Sequence, residues 1–94
     1  MTDRATRMHA ALRQAFLPAG LTISDDSAKH AGHAGAAPGG QTHYTVVMAA
    51  AAFEGMSRVE RSRAVHAALA GEFASGLHAL ALTLRTPDEA ARLR

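Results

Sequence analysis

Along residues 3–17 the apolar positions Ala5, Met8, Leu12, Ala15 and Phe16 return every three or four residues, which places them on one face of a helix. Arg4, Arg7, Arg13 and Gln14 fall largely outside that stripe. Pro18 disfavours helical geometry at Leu17, and Gly20 completes the stop. The period then changes from 3.6 to two. In LTIS (21–24), Leu21 and Ile23 point one way and Thr22 and Ser24 the other. In HYTVVMAA (43–50), Tyr44, Val46 and Met48 share a face opposite His43, Thr45 and Val47. LHALALTLR (77–85) alternates most cleanly, with Leu80, Leu82 and Leu84 against Ala79, Ala81 and Thr83. Each of these three segments is predicted to be a strand.

AAFEG turns the chain after the second strand. Ser57 with Glu60 three residues later is a capping box, in which each side chain satisfies the other residue's free backbone N–H. It predicts a helix running to about Ala74, with Val65, Ala68, Leu69 and Phe73 buried, Gly71 in its interior and Gly76 closing it. Thr86-Pro87-Asp88-Glu89 repeats the signal with proline at the first helical position, predicting a short helix over 87–94. The order α-β-β-α-β-α describes an α+β domain: a three-stranded mixed sheet with helices on one face. The last two strands flank a helix, so if they pair directly they pair in parallel.

Ninety-four residues form a single domain, 1–94. Twenty-three of them are alanine, so the 48% hydrophobic content overstates the core. Residues 25–42 carry no apolar period and are rich in glycine and alanine, which predicts a long flexible loop. A loop of that length inside a compact domain is more often functional than merely connecting. The chain has no cysteine, which removes disulfides, a thiol nucleophile and thiolate metal ligands of its own. Cysteine usage points to an intracellular, cytoplasmic protein. No apolar run is long enough to span a membrane, and the N-terminus lacks the apolar segment of a secretory signal. The net charge of +2 is too small to be a nucleic-acid footprint by itself. No nucleophile, paired carboxylates or cofactor loop stands out, so an enzyme is not expected.

Histidine is the remaining chemistry. His30 and His33 form an H-x-x-H in KHAGHAG (29–35), a spacing that on a loop fits either solvated side chains or a metal site such as zinc. His78 opens the third strand near a sheet end, where a ring can reach a partner, although by parity it sides with Leu80 and Leu82 and could equally be partly buried. His43 opens the second strand, as a structural residue or one that supports a ligand by hydrogen bond. His9 and His66 sit on helices, at the surface. Arg58, Arg61 and Arg63 cluster in the first turns of the second helix, either as a solvated face or as a contact for nucleic acid or a partner. Arginines there oppose the helix dipole, a hint of another use.

These residues carry a resemblance. Thr42-His43-Tyr44, Phe53-Glu54-Gly55, the arginines 58, 61 and 63 with Leu69 and Glu72, and His78-Ala79-Leu80 followed by Thr86-Pro87 together resemble the BolA family, over about residues 4–89. Three places depart from the family pattern. Arg61-Ser62-Arg63 replaces Arg-His-Arg, Gly71-Glu72-Phe73 replaces Glu-Glu-Leu, and a tryptophan common in the last helix is absent. The resemblance implies a fold like a class II KH domain. It also implies a monothiol glutaredoxin as partner, with a bridging two-iron, two-sulfur cluster shared with glutaredoxin and glutathione. His78 would be one ligand and a loop residue the other, best matched by His30, with His33 as the alternative. The expected role is iron–sulfur trafficking or iron sensing, and the isolated protein is expected to be a monomer without a cofactor. DNA-binding regulation of stress response or morphology is the alternative.

That chemistry is sound on its own terms. A two-iron, two-sulfur cluster needs four ligands, and a thiol-free chain can give imidazoles while a partner gives thiolates, as in the Rieske arrangement. Imidazole ligands would make the site sensitive to protonation near neutrality. No G-x-x-G loop stands between two helices, so RNA recognition in the KH manner is not expected.

Overall fold

The computed structural model describes residues 3–27 and 41–93. Helix α1 spans Arg4–Phe16, strand β1 Gly20–Asp25 and strand β2 His43–Ala49. A 3-10 turn at Ala51–Phe53 leads into α2 (Arg58–Ala68) and α3 (Ala70–Ala74), followed by β3 (Ala79–Arg85) and α4 (Pro87–Ala91). No helix among the described residues is long and apolar enough to cross a membrane.

The sheet has the order β1-β2-β3, antiparallel across β1 and β2 and parallel across β2 and β3. Its register aligns the apolar columns. Leu21 and Ile23 pair with Met48 and Val46, while Tyr44, Val46 and Met48 pair with Leu80, Leu82 and Leu84. Directly paired residues share a face, so one side of the sheet is continuously apolar. Met8 and Leu12 of α1, Val65 of α2 and Leu69 just after it cover it, completing a core with Phe53, Ala50 and Leu77. The other face carries Thr22, Ser24, Thr45, Val47, Ala81 and Thr83, and Val47 there is 40% exposed. The expected α+β domain, a mixed three-stranded sheet with helices on one face, is the fold that forms.

Both capping boxes close. Ser57 Oγ accepts the Glu60 N–H at 3.1 Å while Glu60 accepts the Ser57 N–H at 2.7 Å. Thr86 and Glu89 exchange the same pair at 3.2 and 2.8 Å. Gly55, in the turn before α2, has φ +79°, and Gly76, after α3, has φ +124°, values at which a side chain would strain the backbone.

Four expectations are corrected. The helix predicted from Ser57 to Ala74 breaks at Leu69, whose φ of −105° and ψ of 14° leave the helical region. The break lets Leu69 bury itself completely while Phe73 turns onto the same core, and Gly71 just beyond weakens any propensity to stay straight. The third strand begins at Ala79 rather than residue 77, because Leu77 is drawn into the core and His78 enters no ladder position. The last helix is one turn, Pro87–Ala91, rather than 87–94. Arg4 and Arg61, read from the pattern as lying off the buried face, are 7% and 8% exposed.

Arg61 ties α2 to β3 and α4. Its guanidinium donates to Glu89 Oε1 at 2.6 Å, to Glu89 Oε2 at 3.2 Å and to the Leu84 carbonyl at 3.2 Å, while its Nε donates to the Met56 carbonyl at 3.1 Å. It also stands 5.8 Å from the centroid of the buried Phe53 ring. The bonds from Arg61, and then the Thr86 N–H, hold the Glu89 carboxyl down at about 2, against an ordinary 4.5. A depressed folded value means that the tie stabilises the fold above pH 4.5 and is lost as pH falls toward 2. Glu89→Gln should therefore lower stability at pH 7, and the gap from wild type should close between about pH 4.5 and 2, as read by denaturant unfolding at stepped pH.

Candidate metal-ligand site

The starts of β2 and β3 and the exit of β1 lie at one end of the sheet, since Asp25 pairs with Tyr44 and His43 with Ala79. Three chain segments are knotted there through Thr42 and Ser27. The Thr42 carbonyl accepts two successive N–H groups, from His78 at 2.8 Å and Ala79 at 3.0 Å. Ser27 Oγ accepts the N–H groups of Thr42 at 2.9 Å and His43 at 3.1 Å. The Asp26 N–H reaches the His43 carbonyl at 2.8 Å, and Thr45 Oγ1 donates to the Asp26 carboxylate. Asp25 accepts the Ser27 N–H at 2.9 Å. Burial works to raise the Asp25 carboxyl, but hydrogen bonds from Ser27, Gln41 and Tyr44 outweigh it and hold the group below its ordinary value. Burial, and then the Asp25 charge, raise the Tyr44 phenol.

This knot sets two imidazoles side by side. The ring centroids of His43 and His78 are 5.3 Å apart and the rings are tilted by 48°. Their environments differ. His43 is 6% exposed, with Nδ1 2.9 Å from Thr42 Oγ1, whereas His78 is exposed to solvent. The parity that grouped His78 with Leu80 and Leu82 fails because the residue precedes the strand. A groove of about 260 Å³ opens beside them, lined by Asp26, His43, Tyr44, Ala79, Leu80 and Ala81.

His30 and His33 lie outside the described residues, as do most of the positions of the loop expected over 25–42. Ser27 and Gln41, the described residues on either side, both belong to the sheet end that carries His43 and His78. Among the described residues no three of His, Asp and Glu come together to hold an ion.

Arg4 sets the position of this end from beneath. Its Nε donates to the Gln41 carbonyl at 2.7 Å, and its backbone N–H to Gln41 Oε1 at 3.0 Å. Its other nitrogens reach the Glu72 carbonyl at 3.1 Å, Glu72 Oε1 at 2.7 Å, Ser75 Oγ at 2.9 Å and the Ser75 carbonyl at 3.1 Å. One buried side chain thus joins the start of α1, Gln41 (φ +63°) and the turn leading to His78. Arg7 adds bonds to both Glu72 oxygens, at 3.0 Å each, and with Arg4 holds that carboxyl below its ordinary range. Sequence reasoning missed Arg4, Ser27 and the role of Thr42. Arg4 breaks the apolar stripe of α1 and so reads as surface, and only the Thr-His-aromatic motif pointed toward Thr42.

Of the predicted arginine cluster, Arg58 and Arg63 are not buried, whereas Arg61 is consumed by the internal bonds described above. His9 accepts from Arg13 Nε at 3.2 Å, and His66 stacks on Phe73 at 5.1 Å, so both take part in helix-surface contacts.

An α+β domain whose parallel strands β2 and β3 begin at one end of the sheet, with His43 opening β2 and His78 just before β3, defines the class of fold. The chain belongs to the BolA-like protein family, whose pattern it matches over residues 12–89. It is 42% identical over 89 residues to the chloroplastic BOLA1 protein of Arabidopsis thaliana, covering 93% of this chain and 56% of that protein. The chain spans about half the length of the curated relatives it matches, 56% and 54% for two of them. The solved structure of BolA1 from Arabidopsis thaliana superposes with a TM-score of 0.84 at 41% identity, covering 95% of this chain and 97% of that one. The BolA domain of SufE1 from the same plant superposes with a TM-score of 0.85 at 36% identity, over 95% and 98%.

Replacing Arg4 with methionine keeps the aliphatic stem but removes the donors to the Gln41 and Ser75 carbonyls and to the Glu72 carboxylate, while the Glu72 carbonyl keeps the N–H groups of Ser75 and Leu77. A buried polar group left without its partner costs about 1–3 kcal/mol, so Arg4→Met should lower unfolding free energy by an amount in that range, measured by urea denaturation.

Proposed function

We propose that this chain is a non-enzymatic partner of a monothiol glutaredoxin that co-ligates a bridging two-iron, two-sulfur cluster, for iron–sulfur trafficking or iron sensing. His78 is one ligand and His30, with His33 as the alternative, is the other; glutaredoxin and glutathione supply the sulfur ligands. The observation that carries this is the placement of His78: exposed, at the end of the sheet, and held by its own backbone N–H to Thr42. His30 is three residues beyond Ser27, which is anchored at the same end. Membership of the BolA-like family supports the same assignment. The chain's task is then to present imidazole lone pairs at a fixed sheet margin, and a backbone already tied at Thr42 loses little further freedom when the partner arrives.

Mixing the protein with a monothiol glutaredoxin, glutathione and reconstituted cluster should give a visible circular dichroism spectrum distinct from that of the glutaredoxin homodimer. His78→Ala should remove the difference. Identical spectra for wild type and His78→Ala would refute the ligand assignment.

A DNA-binding regulator is the second reading, and one observation favours it. Arg58, Arg85 and Arg92 line a groove of about 720 Å³ between α2, β3 and α4, whose one lining carboxylate, Glu89, is already bonded to Arg61. A regulator of this kind should keep a preference among duplex sequences as salt rises. A weak affinity that vanishes with salt and does not discriminate would mark only non-specific attraction.

A further inference from the structure

Strand β3 is an edge of the sheet, with β2 on one side and, among the described residues, no strand on the other. Successive residues of a strand aim their backbone N–H and C=O groups to opposite sides. The Ala79 N–H donates to the Thr42 carbonyl, and the Arg85 carbonyl accepts the Ala50 N–H, so residues 79, 81, 83 and 85 face β2. Leu80, Leu82 and Leu84 therefore turn their backbone groups outward. Among the described residues only one of those outward groups is occupied: the Leu84 carbonyl accepts from Arg61 at 3.2 Å. An edge left open in this way is a template for another strand. It is also one wall of the groove of about 720 Å³, to which β3 gives Leu82, Leu84 and Arg85, α2 gives Arg58, and Arg92 follows α4. Arg58 and Arg92 are exposed and Arg85 is half-buried, and among the described residues none of these three guanidinium groups is hydrogen-bonded.

We propose that this groove takes an extended acidic segment of a partner protein, which pairs with the open edge of β3 as an added strand and sets its carboxylates against Arg58, Arg85 and Arg92. The occupant has to match two features at once. The edge presents both N–H and C=O groups, and a peptide backbone answers with both. The phosphates of a duplex only accept, so they leave the outward Leu82 carbonyl without a donor. For a duplex the groove offers charge alone. The arginines supply forked donors, which carboxylates on alternate residues of an extended chain can meet. A second copy of this chain is a poorer occupant, because the acidic end of its own β1 is already engaged: Asp25 accepts from Ser27 and Asp26 from Thr45. The groove runs beside the later half of β3, whereas His78 precedes the strand, so the proposal stands apart from the cluster assignment.

The probe is a fluorescein-labelled peptide, Thr-Glu-Val-Glu-Thr-Glu-Val-Glu, titrated into the full chain and followed by anisotropy and by amide NMR. Binding should saturate, move the amide signals of Leu82 and Leu84, and slow their hydrogen exchange. N-methylation of one alternate set of peptide amides should abolish binding, while methylation of the other set should leave it in place, since only one set faces β3. The double variant Arg58→Ala, Arg92→Ala changes two exposed side chains and should weaken binding about tenfold at low salt. Absence of binding would overturn the proposal and leave the arginines as charges that guard the edge against pairing. Binding that tolerates both methylated sets, without slowed exchange at Leu82 and Leu84, would be charge attraction alone and would overturn it too. Displacement of the peptide by a much tighter random-sequence duplex would give the groove to nucleic acid. The same amide changes on concentrating the protein without peptide would give the edge to a second copy. Either result would overturn the acidic segment as its occupant.

Discussion

The site depends on one backbone carbonyl. Thr42 O accepts from His78 N and Ala79 N at once, while the N–H of the same residue is held by Ser27 Oγ. That arrangement fastens the exit of β1, the start of β2 and the start of β3 to a single residue before any side chain is counted. Buried backbone groups must find partners, and here the partners come from three separated stretches of chain. The spacing of His43 and His78 is a consequence: one follows Thr42 in sequence, and the other donates its own N–H to it. No long-range side-chain contact is needed to bring them together.

Two buried arginines do elsewhere what a larger core would do. The chain is short and rich in alanine, so the apolar area available to hold α1, α3 and α4 in place is limited. Arg4 joins α1 to Gln41 and the end of α3, and Arg61 joins α2 to β3 and α4. Both spread their donors over backbone carbonyls as well as one carboxylate. This offsets part of the desolvation penalty of a buried cation by satisfying its N–H groups, and among the described residues no buried side-chain nitrogen or oxygen lacks a partner. Charge-assisted bonds of this kind are directional, so they fix where a helix end sits as well as how firmly it is held.

How much of this was legible depends on which force sets each feature. The strands were legible because period-two alternation survives into the register: Leu80, Leu82 and Leu84 do lie beside Tyr44, Val46 and Met48. The capping boxes were legible because they are local, with both partners within four residues. The break at Leu69 was not, since it trades helix continuity for burial of Leu69 and contact by Phe73, and that gain exists only once the core is assembled. Arg4 was not legible for the same reason: amphipathic pattern treats charge as outward, while its acceptors come from residues 41, 72 and 75. His78 was legible as a sheet-end residue but not in its exposure, because strand parity was extended one residue past the ladder. The difference between His43 and His78 was invisible in sequence, since it depends on which oxygen each ring meets.

Topology explains why the two rings meet at all. A strand that returns to its neighbour through a helical crossover must run parallel to it, so the beginnings of β2 and β3 fall at the same end of the sheet. The antiparallel β1 brings its finish to that end as well, and with it the segment that leads on to β2. Residues placed just before or at parallel strand starts therefore converge however far apart they stand in sequence, as His43 and His78 do across a connection that includes α2 and α3. The convergence is a property of strand direction. What differs between the rings is imposed afterwards by their neighbours: a hydroxyl against one, and solvent against the other. A fold can keep the first property through many substitutions, whereas the second hangs on the hydroxyls of Ser27 and Thr42.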